Sequence, residues 1–327
     1  MLDLIAVGDA TIDNFLQIHD AEIRCNLDKT ECMLCIEYGD KISVEKLTHL
    51  VAGNAANNAI GGSRLKLKSA IYVNVGSDDS GERIIKKLKD EGVSTQYVVA
   101  NQGMESNLST VINFQGERTI LVYHQSWKYK LPDLESTRWV YFTSLSASFT
   151  NSNLINEITV FLERTRSKLL YNPGTYQIKA GIRKNPRFLS LTELFIVNVQ
   201  EAKRILAGKD DADIPIKKLL KNIADLGPRM VIITDGIDGS YGYDGEQFYH
   251  IGIFSAKLLE ATGAGDGYAT GVLAGLFYGK DLKEAMRWGA ANGASVVEQI
   301  GPQAGLLRYD KMQERLKENS KIVAKKI

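Results

Sequence analysis

Residues 260–276 read EATGAGDGYATGVLAGL, with one carboxylate, Asp266, directly behind Gly263-Ala264-Gly265 at the head of an apolar, small-residue run. The first turn of a helix leaves main-chain N–H groups without partners, and the macrodipole adds positive charge there. Glycines let an anion come close to that backbone. The segment therefore reads as a phosphate cradle with a proton acceptor, Asp266, beside it. The plainer reading is a capping aspartate and glycines that permit close packing. One Gly-rich turn leaves both readings open.

Other polar residues stand at element ends. Asp13, in VGDATID, follows the first apolar run, and a carboxylate at the C-terminal edge of a parallel strand faces the usual ligand crevice. It could equally just end the strand. Asn54 could cap a helix, and Asn198-x-x-Glu201 has the spacing of a capping box with Asn for Ser or Thr. GLFYGK (275–280) hints at a Walker A loop, but it is one residue short and Asp281 replaces the Ser or Thr. VGDATID stands where a dinucleotide oxidoreductase would need G-x-G-x-x-G after its first strand.

The elements that position these residues alternate. Strand-like runs at 2–9, 69–78, 139–144, 168–174, 193–198 and 230–236 are separated by helical ones, among them 54–65, 80–92, 154–166, 199–206 and 216–226. In 80–92, Ile84, Ile85 and Leu88 share a face, Ser80 can cap and Gly92 can stop the helix. This rhythm predicts an α/β fold with a mostly parallel central sheet flanked by helices in three layers. Residues 14–44 and 97–129 lack a helical period and predict a small β-sheet lid, set into a discontinuous core of 1–13, 45–96 and 130–327. Within the second insertion, 109–124 reads as a hairpin turning at Gln115-Gly116-Glu117. The same lid could serve as an edge extension or a homodimer contact. Trp127, Lys128 and Lys130, at the end of the second lid segment, read as a solvated loop, and KIVAKKI at 321–327 reads as a solvated helix tail.

The composition, 44% hydrophobic and 24% charged over 327 residues, supports a large core. Lys+Arg 40 against Asp+Glu 39 gives a net charge of +1, without the basic excess of a nucleic-acid or membrane-surface binder. No apolar run approaches the roughly 18 residues of a membrane span. The start, MLDLIAVGD, reads as a strand and not a signal peptide, so a cytoplasmic location is expected. Cys25, Cys32 and Cys35 cluster, but Cys32 and Cys35 sit three apart in a strand-like run and so point to opposite faces. No second C-x-x-C or H-x-x-x-H completes a metal site.

Six stretches in order, with TGAGD, make this sequence resemble the PfkB/ribokinase family of sugar and nucleoside kinases. GDATID (8–13) is similar to its N-terminal substrate motif, AGNAANNA (52–59) to its G-G-x-x-x-N segment, and NVGSDDSGERIIKKLKDEGV (74–93) to the family's next segment along the chain. NVQE (198–201) resembles N-x-x-E, VIITDGIDGSYGYDG (231–245) the T-x-G-x-x-G nucleotide loop, and ANGASVVEQIGPQAGL (291–306) the closing helix and turn.

The resemblance implies Asp266 as catalytic base, with the N–H groups at Ala264, Gly265 and Asp266, behind Gly263, holding the transferred phosphoryl group. It implies Asp13, Gly53, Asn54 and Asn57 as ligands of substrate hydroxyls. Asn198 and Glu201 would organise Mg²⁺ through water. Thr234, Gly236 and Gly239 would approach the phosphates of ATP, and Asn292 and the Gly301–Gly305 turn would border its adenine. The family's Asp-Thr is Glu260-Ala261 here, which puts a monovalent-cation site near Glu260 in doubt. Asn54 replaces the lysine of ribokinase itself, so ribose specificity does not carry over. Asp235, an acid close to the nucleotide loop, has no explanation.

The expectation is an ATP- and Mg²⁺-dependent kinase acting on a hydroxyl of a small sugar. A nucleoside kinase on the same fold is the main alternative. The archaeal nucleoside kinases are similar in TGAGDGYATG and GASVVEQIG. A phosphosugar acceptor is less favoured, because no extra basic cluster is visible among the substrate motifs. A non-catalytic nucleotide- or sugar-binding regulator is the alternative of another class.

Overall fold

The strand Leu2–Val7 divides its side chains between two cores: Leu4 and Ala6 enter one hydrophobic cluster, Ile5 and Val7 the other. A strand covered on both faces must be apolar on both. Ser69–Gly76 obeys the same logic, with every residue buried.

The computed structural model describes residues 1–26, 32–115, 117–208 and 213–327. From the N-terminus come β1 (Leu2–Val7), β2 (Thr11–Ile18), β3 (Glu22–Cys25), β4 (Cys32–Cys35) and β5 (Val44–Ala52). Next are α1 (Asn54–Arg64), β6 (Ser69–Gly76), α2 (Asp79–Asp90), β7 (Ser94–Asn101), β8 (Leu108–Phe114), β9 (Glu117–Tyr123) and β10 (Thr137–Phe142). The chain continues through α3 (Leu154–Thr165), β11 (Lys168–Tyr171), α4 (Thr175–Ala180), α5 (Pro186–Ser190) and β12 (Thr192–Asn198). The last third holds α6 (Val199–Ala207), α7 (Ile216–Ala224), β13 (Met230–Thr234), β14 (Ser240–Tyr243) and β15 (Phe248–Ile251). It closes with α8 (Ala264–Phe277), α9 (Leu282–Val296), α10 (Tyr309–Glu318) and β16 (Lys325–Lys326).

The large sheet runs β16-β15-β14-β13-β12-β11-β10-β1-β6-β7 among the described residues. From β7 to β13 neighbours are parallel, and the last three strands join antiparallel. One core contains residues of α1, α2, α8, α9 and α10, and the other residues of α3, α5, α6 and α7, so helices cover both faces. This is the three-layer α/β arrangement expected. A separate sheet, β5-β2-β8-β9, forms the small β layer, and β3 pairs with β4 alone. No helix among the described residues is long and apolar enough to cross a membrane.

Several boundaries differ from those the sequence predicts. Residues 97–101 belong to Ser94–Asn101, which extends the large sheet beside β6 and not the lid, because it completes a β-α-β crossover through α2. Val44–Ala52 pairs antiparallel with β2 along its whole length and so belongs to the small sheet. Asp78, not Ser80, caps α2, since its extended backbone lets its side chain accept from the Gly81 N–H at 2.8 Å. Gly116 of the hairpin turn lies outside the described residues, while Phe114 pairs with Glu117 across it. Trp127 is not solvated: it packs into the core at 2% exposure. The C-terminal tail is not helical, because Lys325–Lys326 bonds to the free edge of β15. Cys25 and Cys32 face each other across β3 and β4 and form a disulfide, a pairing that the C-x-x-C spacing does not suggest, and Cys35 is free.

Candidate active site

A cavity of about 750 Å³ opens where the C-terminal ends of the parallel strands meet the small sheet. Parallel sheets place ligands at that edge. Asp266 stands on its wall, in the first turn of α8. The turn before it needs Gly263: φ is +80°, and a Cβ there would lie 2.4 Å from that of Pro302. The Ala264 N–H donates to the Ala261 carbonyl at 3.2 Å. The N–H groups of Gly265 and Asp266 have no main-chain acceptor among the described residues, and the Cβ side of Gly265 is open. Two free donors at the positive end of a fourteen-residue helix can hold an anion.

The Asp266 carboxyl is 7% exposed and accepts a 2.8 Å hydrogen bond from Asn57 Nδ2. Burial pushes it up to about 6. Asn57 reaches it because α1 packs on α8, and Gln303 Nε2 fixes the amide by donating to Asn57 Oδ1 at 3.0 Å. Asp13, on β2, lines the same cavity, and its Oδ1 is buried without a partner. Burial raises it to about 6 as well, opposed by hydrogen bonding and reinforced by the charges of Glu260 and Asp266. Gly53, Asn54, Gly263 and Glu201 complete the sequence-predicted residues on the wall. Gly53 N-caps α1 and Asn54 begins it, so Asn54 is not the cap.

Asn198 and Glu201 form a reciprocal capping box: Asn198 Oδ1 accepts from the Glu201 N–H at 2.8 Å, and Glu201 Oε2 accepts from the Asn198 N–H at 2.9 Å. Of the pair, only Glu201 lines the cavity, and burial raises its carboxyl. Its second oxygen remains for a water, so the pair fits an indirectly held Mg²⁺. Thr234 ends β13 beside Asn198, and the Gly236–Gly239 turn continues the same edge, away from the cavity wall. Asp235 closes that turn through its N–H to the Gly239 carbonyl at 2.8 Å.

Two of the sequence-predicted residues are engaged within the protein itself. Asn292 is fully buried, its Nδ2 donates to the Gly267 carbonyl at 2.7 Å, and its Oδ1 accepts from the Leu307 N–H at 2.9 Å. It ties α9 to α8 and to the C-terminal turn. The Glu260 carboxyl is taken up by donors of the protein. Its Oε1 accepts from the Thr262 N–H at 2.6 Å and lies 3.5 Å from Arg118 Nη1, while its Oε2 accepts from the Gly301 N–H at 3.3 Å. Gly301 thereby anchors Glu260 and is itself buried off the wall.

The cavity also gathers residues that sequence reasoning missed. Asp9 and Asn107 form part of its floor, and Arg118, His124, Tyr176 and Lys179 stand on its walls. The His124 and Tyr176 rings pack at 5.7 Å, joining the segment after β9 to α4. Asp9 lies within the GDATID motif and is the one legible signal; the others arrive from distant segments.

A buried carboxylate at a free helix N-terminus, on a parallel sheet with a small β layer beside it, is the arrangement expected of a ribokinase-like protein. The model of the pfkB family of carbohydrate kinases matches residues 15–308, and the chain belongs to that family. Members are phosphotransferases with an alcohol group as acceptor. An ATP-dependent 6-phosphofructokinase of Thermoanaerobacterium thermosaccharolyticum is 27% identical over 281 residues, covering 82% of this chain and 85% of that one. A nucleoside kinase of Methanocaldococcus jannaschii superposes with a TM-score of 0.77 at 21% identity, covering 98% of this chain and 99% of that one. Arabidopsis thaliana ribokinase complexed with ribose and ATP gives 0.77 at 20% identity, covering 97% and 99%.

Proposed function

We propose that this chain transfers the γ-phosphoryl group of ATP to a hydroxyl of a small sugar. The observation that carries the reading is the cavity itself: Asp266, the free N–H groups at the head of α8, and the polar residues Asp13, Asn54 and Asn57 all meet there. Asp266 takes the proton of the acceptor hydroxyl as that oxygen attacks phosphorus. A carboxyl raised to about 6 is ionised at neutral pH yet more basic than a solvated one. The Gly265 and Asp266 N–H groups point at the charge that develops on the transferred group. Glu201 would hold Mg²⁺ through water, and the ion would neutralise the triphosphate. Asp13, Asn54 and Asn57 orient the acceptor. Gly236 and Gly239 supply backbone for the nucleotide phosphates, with Thr234 beside them.

An assay of ADP release with ATP and Mg²⁺ against sugars and nucleosides tests this. Turnover on a sugar that Asp266→Asn abolishes is the expected result. Near-normal turnover by that variant overturns the mechanism, and nucleotide binding without turnover on any acceptor would identify a regulator instead. A nucleoside acceptor is the second reading, favoured by the His124–Tyr176 ring pair and by Ile120 and Val122 on the wall, which offer packing for a base. We also propose a homodimer through the small sheet, since its edge strand β9 exposes Leu121 and Tyr123; sedimentation of the purified protein checks it.

A further inference from the structure

We infer that Asp9 and Asn107 form a second acceptor subsite beside Asp13, one that reads an uncharged hydroxyl-bearing group and so makes the acceptor a neutral-ended polyhydroxy compound. The inference deepens the sugar-kinase reading and rests on it. Asp9 comes just after β1 and is 7% exposed; Asn107 precedes β8 and is 1% exposed. Both line the cavity that holds Asp13 and Asp266. Asp9 Oδ2, Asn107 Nδ2 and Asp13 Oδ1 each lack a partner within hydrogen-bonding geometry, although the Asn107 amide stands close enough to Asp9 to hold its carboxyl down. Buried polar atoms are almost always paired; five unpartnered ones lie on residues lining this cavity, these three together with His124 Nδ1 and Thr262 Oγ1, and such a concentration on one ligand-sized cavity points to a ligand that completes them.

The surroundings hold both side chains in place. Tyr129 Oη donates to Asp9 Oδ1 at 2.7 Å and itself accepts from the Ser146 N–H at 2.9 Å, with Ser146 Oγ 2.8 Å away. That chain leaves Oδ2 as the free oxygen. Asn107 Oδ1 accepts from the Gln125 N–H at 2.9 Å, which orients its Nδ2 as the free donor. A group that satisfies this set must donate to carboxyl oxygens and accept from an amide. A hydroxyl does both. A phosphate or carboxylate would face two carboxyl groups, Asp9 and Asp13, and is disfavoured at this end whenever either is ionised. Arg118 and Lys179, which also line the cavity, are the cations available to an anionic part of a ligand. Burial pushes the Asp9 carboxyl up to about 7, so it can also donate to a hydroxyl near neutral pH.

The test is calorimetric binding of D-ribose, D-fructose and inosine, and separately of ATP, to Asp266→Asn, to Asp9→Asn/Asp266→Asn and to Tyr129→Phe/Asp266→Asn. Binding, not turnover, is read, so a failed kinase mechanism does not hide the result. The expected outcome is that a sugar binds the parent and loses roughly ten- to hundredfold in affinity with Asp9→Asn, less with Tyr129→Phe. ATP affinity should stay within about twofold, which a merely structural defect would not allow. Sugar affinity unchanged within about twofold in Asp9→Asn overturns the subsite, as does an equal loss for ATP. Inosine binding while both sugars fail overturns the free-sugar reading, and the subsite too if Asp9→Asn leaves inosine affinity unchanged. Sugar binding with this pattern but no ADP release from the wild-type protein would leave the subsite standing and remove the kinase reading.

Discussion

Asn57 Nδ2 donates to Asp266 Oδ2 at 2.8 Å across 209 residues of sequence. A hydrogen bond to the ionised carboxyl favours that form and offsets part of the upward push of burial. As a base, Asp266 must be unprotonated, so turnover should rise with pH through about 6. Asn57→Ala removes the donor and moves the limb to higher pH. Its loss of kcat should be larger at pH 6 than at pH 8, and a pH profile of kcat checks this. A limb that stays in place would mean the bond is not felt in the working enzyme.

The same burial that tunes Asp266 costs stability. Its folded pKa lies above its unfolded value of 3.8, so the folded form binds the proton more tightly. Stability is therefore lost as pH rises from 3.8 through about 6, and the ionised residue is a burden at neutral pH. A shift of this size corresponds to about 3 kcal/mol. Asp266→Asn should raise the melting temperature by several degrees at pH 7 and by little near pH 4. Its turnover should fall by roughly a hundredfold or more. Thermal melts at the two pH values decide the point.

Glu260 ties three segments: the turn before α8 through Thr262, the C-terminal turn through Gly301, and the small sheet through Arg118. Glu260→Ala removes all of these and should lower kcat by about tenfold, with faster amide exchange over 262–266. Arg118 is part-exposed, and its contact is long, so Arg118→Ala should cost less than about 1 kcal/mol of stability. Its effect should emerge as a higher acceptor KM and should shrink at high salt. Equal kcat losses in both variants would refute this division.

The helices α8 and α9 touch where neither has bulk. A Cβ on Gly271 would lie 2.5 Å from the Trp288 carbonyl oxygen, a rigid main-chain atom. Gly271→Ala should destabilise by about 1–3 kcal/mol despite the better helix propensity of alanine, as read by urea unfolding. It should also weaken turnover, because α8 carries Asp266 at its head.

The parallel core was legible because fully buried strands and capped helices carry their own periodicity, as in LDLIAV and SAIYVNVG. Strand edges were less so. Ser94–Asn101 shows no clean alternation, since its exposure mixes both faces at the end of the sheet. The motif residues Asp13, Asn57 and Asp266 do meet, whereas Asn292 proved a structural tie whose amide satisfies two backbones. His124, Arg118 and Lys179 reach the cavity only through the placement of β9 and α4, which no local spacing encodes. Cys25 and Cys32 pair because of strand register, which the Cys32-x-x-Cys35 spacing does not encode.

The two-residue strand Lys325–Lys326 covers the outer side of β15 at Tyr249 and His250 with a pair of positive charges. Exposed edges recruit foreign strands, and lysine there repels them. A protein shortened by its final residues, or carrying an appended tail that pulls this segment away, would present Phe248–Ile251 to other molecules. Self-association in such preparations would then report on the loss of this pairing.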